Sequence, residues 1–140
     1  MKVALRSLAL PLPLLLMPLL ALAATPAPPG AEVYFISPRD GETVSSPVTV
    51  RFGLRGMGVA PAGTQNDATG HHHLLVNAPL PPLDRPVPTD DHHKHFGAGQ
   101  TETVITLPPG KHTLQLLLGD FAHIPHDPPV MSPPISITVE

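Results

Sequence analysis

Twenty-one prolines are spread along the 140 residues of the chain, and they decide what it can fold into. Proline has no amide proton and its ring clashes with the preceding helical turn, so it breaks helix interiors. In residues 31–140 no apolar period of 3.6 runs for three turns without meeting one. The apolar runs between the prolines are rich in β-branched residues and several alternate with period two. Six of them are candidate strands: 33–37 (VYFIS), 48–54 (VTVRFGL), 72–77 (HHLLVN), 103–107 (TVITL), 112–118 (HTLQLLL) and 135–139 (ISITV). Each presents an apolar face that a second sheet has to cover. The expected fold is all-β, an immunoglobulin-like antiparallel β-sandwich of six to seven strands, with a small barrel as the alternative. Pro108-Pro109-Gly110 reads as a tight turn, so 103–107 and 112–118 are expected to form a hairpin.

Residues 1–23 have the layout of a cleaved secretory signal peptide: Lys2 and Arg6, an apolar run from Leu8 to Leu22, and the small-residue triplet Ala21-Leu22-Ala23. Pro11, Pro13 and Pro18 interrupt that run, so no stable membrane anchor is expected from it. The destination implied is periplasmic or secreted. Residues 24–30 form a proline-rich lead, expected to act as a spacer, and residues 31–140 form the domain. The chain has no cysteine, which excludes disulfides, thiolate metal sites and thiol chemistry. Eleven Asp/Glu outnumber eight Lys/Arg, two of which lie in the leader, so nucleic acid is not an expected partner.

Nine histidines, all beyond the leader, fall in three groups and one singleton: His71-His72-His73, His92-His93-x-His95, His123-x-x-His126, and His112. Side chains at i and i+2 of a strand share a face, so His71 and His73 are expected to project together with His72 opposite. His93 and His95 repeat that spacing, and His123 and His126 can converge across the bend at Pro125. The two long connections, 55–70 and 78–100, run beside these groups, and loops of that length in a compact domain usually carry function. Neutral imidazole suits copper and zinc, with Met57 and Met131 the mature thioethers able to assist a soft ion. Asp90, Asp91, Asp120 and Asp127 stand nearby in sequence as hard ligands or as acceptors of a ring N–H. His112 precedes Leu114, Leu116 and Leu118 on one face and reads as a core-edge residue. Serines 45, 46, 132 and 136 lack a local nucleophile signature, and no catalytic residues or enzymatic activity are assigned.

The strings GHHHLLVN (70–77), HKHFGAGQTET (93–103), LPPGKHTLQLLLGD (107–120) and HIPHDPPVMSPPISITV (123–139) resemble the bacterial exported family catalogued as domain of unknown function 4399. The resemblance implies an exported β domain and no established activity. The function expected from the residues is binding of a divalent metal ion, copper or zinc, through His71, His73, His93, His95, His123 and His126. The alternative is a binding module for an envelope protein or polymer, whose histidines make hydrogen bonds and sense pH.

Overall fold

The computed structural model describes residues 24–140; the signal peptide assigned to residues 1–23 lies outside the described residues. Nine strands follow one another with no helix among the described residues: β1 Glu32–Ser37, β2 Thr43–Val44, β3 Val48–Arg55, β4 Gly58–Val59, β5 Thr69–Val76, β6 His93–His95, β7 Glu102–Ile105, β8 Gly110–Gly119 and β9 Ile135–Val139. The six expected strands are all present. The three additional ones, β2, β4 and β6, are two or three residues long and lie within connections.

One sheet has the order β1-β3-β7 and the other β2-β9-β8-β5-β4, with β6 sharing the outer edge of β5. The main pairings are antiparallel; β2 with β9 and β4 with β5 are parallel. A three-stranded β1-β3-β7 sheet facing β5-β8-β9 is the A-B-E against C-F-G arrangement of the immunoglobulin sandwich. Between the sheets lie Val33, Val50, Phe52, Leu74, Val76, Leu114, Leu116, Leu118 and Ile137, all nearly solvent-free.

The expected hairpin is corrected. β7 pairs with β3, through Val48 opposite Ile105 and Val50 opposite Thr103, while β8 pairs with β5 and β9. Residues 106–109 therefore cross from one sheet to the other. The Leu107 amide donates to Ser46 Oγ at 3.1 Å and Leu107 is buried in the core. Pro108 and Pro109 have no amide to give to a ladder, which suits a crossover better than a two-stranded turn.

The spacer reading of the lead is also corrected for Thr25–Ala27. Asp127 N–H donates to the Thr25 carbonyl at 3.0 Å, Ala27 N–H donates to the Asp127 carbonyl at 3.1 Å, and Ala27 packs on the core.

β5 differs from an ordinary sandwich strand because it is buried on both faces. His72, Leu74 and Val76 point between the sheets. Leu75, on the other face, joins Leu117, Val87 and the partly buried Leu83 in a second apolar cluster under the 77–92 connection. That connection and the 120–132 segment form a third layer: the first covers Leu75 and Leu117, and the second, through His123, joins β6 in closing over His71 and His73.

Truncating the centre of the main core measures how far the domain depends on it. Leu116→Ala is expected to lower unfolding stability by about 3 kcal/mol in a denaturant titration, the usual cost of a buried leucine truncation.

Candidate metal centre

The alternation of β5 sends His71 and His73 to the outer face and His72 inward, where its ring lies 5.1 Å from that of Phe52. β6 then lies antiparallel along the free edge of β5 with His95 directly opposite His73. On the other side, β8 places Gly119 opposite His71. A side chain at Gly119 would fill the space in use: a Cβ there would stand 2.7 Å from His73 Cε1. Gly97 plays the same part beside His95, whose ring occupies the position of any Cβ.

The fourth ring arrives on a turn built by Asp120. Its Oδ1 accepts the amide protons of Ala122 at 2.8 Å and Ile124 at 3.0 Å, and its Oδ2 accepts the Thr25 hydroxyl at 2.6 Å. His123 sits inside this turn with φ of 68°, a left-handed conformation costly for a residue with a Cβ. It is held there because its N–H donates to the Asp120 carbonyl and its own carbonyl accepts from Val87 N–H.

Four imidazoles therefore meet. Ring centres are 4.8 Å apart for His71 and His73, 5.0 Å for His71 and His95, and 5.0 Å for His71 and His123. The remaining separations are 5.2 Å for His73 and His95, 4.7 Å for His95 and His123, and 6.3 Å for His73 and His123. Ligating atoms of His71, His95 and His123 all lie within 4.8 Å of one another, and His73 flanks this triad as the fourth ring. His71 and His73 are fully buried, His95 and His123 partly so. Both ring nitrogens of His71 and of His73, and Nε2 of His95, are buried without a hydrogen-bond partner among the described residues.

Such burial keeps the rings neutral. Desolvation, reinforced by His123 and His95, pushes His71 down to about 4. Desolvation with His71, His95 and His123 pushes His73 to about 3. Desolvation alone takes His72 to about 4, and His95 is lowered by desolvation and then by His123. At neutral pH these imidazoles offer lone pairs rather than charge.

Two of the six expected ligands lie elsewhere. His93 is one same-face step along the ladder, opposite Leu75, and its Nδ1–H donates to Asp90 Oδ1 at 2.9 Å. His126 is buried with Nε2–H donating to the Thr69 carbonyl at 3.2 Å. Of the others, His92 Nδ1–H donates to the Val76 carbonyl. His112, as expected, is a core-edge residue, accepting from Asn77 and donating to the Pro108 carbonyl. Met57 packs against the main core and Met131 is exposed. Asp120 bonds backbone amides and Thr25, not a ring. Its place after the last glycine of a strand is a turn signal that the sequence carries.

A family model matches residues 50–140, and its description is Domain of unknown function (DUF4399). That span holds all four clustered histidines, both supporting glycines and Asp120. No curated protein and no solved structure matches the chain.

Two consequences are measurable in metal-free protein. Histidines whose folded pKa is depressed bind fewer protons than in the unfolded chain. Stability is thus complete above the unfolded value of about 6.5 and is lost as pH falls toward the folded values. The thermal midpoint is expected to fall between pH 7.5 and pH 5, and His72→Leu is expected to flatten that fall. A midpoint unchanged over this range would contradict the burial described. At the strained turn, His123→Gly is expected to be more stable than His123→Ala by about 1 kcal/mol, because glycine tolerates positive φ.

Proposed function

We propose that this chain, which belongs to the domain of unknown function 4399 family, binds one divalent transition-metal ion, copper or zinc. The ligands are His71, His95 and His123, with His73 as the fourth. One observation carries this reading: buried imidazole nitrogens of His71 and His73 on β5 and of His95 on β6 have no hydrogen-bond partner among the described residues, and the ring of His123 from a third segment stands against them. A buried polar atom without a hydrogen bond costs on the order of 1–3 kcal/mol, and five such imidazole nitrogens, on His71, His73 and His95, gather in this cluster, the others being the two of His72 and Nδ1 of His126. A metal ion accepts these lone pairs at once, which neither a pH sensor nor a hydrogen-bonding surface would do. The lowered pKa values of His71, His73 and His95 support the same reading, since protons do not compete for those ligand atoms at neutral pH.

The signal-peptide pattern of residues 1–23 supports a place in the periplasm or outside the cell, where the protein would hold or pass on the ion. His93 and His126, both with hydrogen-bonded rings, are assigned no place in the coordination.

Isothermal titration of chelator-stripped protein with Zn(II) and with Cu(II) at neutral pH tests the assignment. One ion per chain is expected to bind, with 1:1 binding lost in His71→Ala and His95→Ala and kept in His93→Ala and His126→Ala. Weak binding of several ions, indifferent to His71→Ala, would overturn it. Loss in His93→Ala equal to that in His71→Ala would move the site.

A further inference from the structure

We infer that the four imidazoles form a closed tetrahedral site matched to zinc(II), with His73 completing the coordination rather than leaving a position for water or substrate. The inference rests on the metal-binding reading above and goes beyond it in naming the ion and in closing the site to water and substrate.

Zinc binds a ring nitrogen at about 2.0–2.1 Å, so each ring centre stands ~3.2 Å from the ion and four tetrahedral rings stand ~5.2 Å apart. Five of the six separations here run from 4.7 to 5.2 Å, and the sixth, between His73 and His123, is 6.3 Å. A square plane requires two long diagonals, and only one separation is long. The four rings thus surround a point in three dimensions, the arrangement zinc adopts with four protein ligands, whereas copper(II) and nickel(II) favour tetragonal or square-planar fields.

The donor chemistry narrows the choice further. Copper(I) also accepts a tetrahedral field but is selected by thiolate and thioether ligands. The chain has no cysteine, Met57 is packed against the main core, and Met131 is exposed. Four imidazole nitrogens of one kind suit a borderline, redox-inactive ion.

His73 is the residue on which the closed site depends. It lies outside the tight triad of ligating atoms but is fully buried, and both its nitrogens are unpartnered among the described residues. The absence of a side chain at Gly119 leaves its ring room against the triad.

Cobalt(II), which reports coordination number through its visible absorption, is the probe. Chelator-stripped protein is titrated with Co(II) alone, then with Zn(II) in competition, for wild type and His73→Ala. Wild type is expected to give the intense absorption of tetrahedral cobalt at one equivalent, unchanged between about pH 6.5 and 8.5 because no bound water titrates. His73→Ala is expected still to bind cobalt, with a spectrum that becomes pH-dependent near 7 as water enters the vacated position. A weak, octahedral-type wild-type spectrum, or one that already titrates near pH 7, overturns the closed tetrahedral site while leaving metal binding intact. Binding of Cu(II) with no 1:1 binding of Co(II) or Zn(II) overturns the choice of zinc. No binding of any of the three fails the underlying reading itself, and circular dichroism of His73→Ala separates lost ligation from lost folding.

Discussion

Everything distinctive in this domain follows from burying both faces of β5. In a two-layer sandwich a strand hides one face against the opposite sheet and turns the other to water, and the polar residues of the sequence take the wet side. Here the face that carries His71 and His73 is closed as well, by β6 and by the segment running on from Gly119. Imidazoles in that position lose water without gaining hydrogen bonds. The third layer of loops, the glycines beneath the rings and the strained backbone at His123 exist in relation to that one buried face.

The support of the His123 turn shows how the layer is held. Asp120 is almost fully buried, yet both its oxygens are engaged, by two amides of its own turn and by the Thr25 hydroxyl. Buried carboxylates are tolerated when paired in this way. The opening residues of the described chain thereby reach across to the loop that presents His123, and Val87 in the other long connection anchors the same residue from its carbonyl side. A ring placed by three separated segments is better fixed than one placed by a loop alone, which is what a preorganised ligand requires.

The fold was legible because period-two alternation and proline punctuation are local, and all six strands were found where these signals lie. The His-x-His pair on β5 was legible for the same reason. Strand partners were not: residues 103–107 and 112–118 show an apolar pattern that suits either sheet, and nothing in that alternation says that Leu107 crosses the core instead of turning back. The same limit governed the site. His93 and His95 have equal claims by spacing, and only the register that sets His95 opposite His73 and His93 opposite Leu75 separates them. His123 and His126 were separated by the Asp120 turn, which aims the first at β5 and leaves the second bonded to the Thr69 carbonyl.

Where an ion sits decides whether the four rings are a metal centre. Anomalous diffraction at the zinc edge, from crystals of the protein loaded with one equivalent of Zn(II), answers this directly. A single peak is expected at the centre of the His71, His73, His95 and His123 rings, with a nitrogen of each at about 2.0–2.1 Å. A peak beside His93 and Asp90, or the four rings left uncoordinated in a crystal that holds zinc elsewhere, would contradict it.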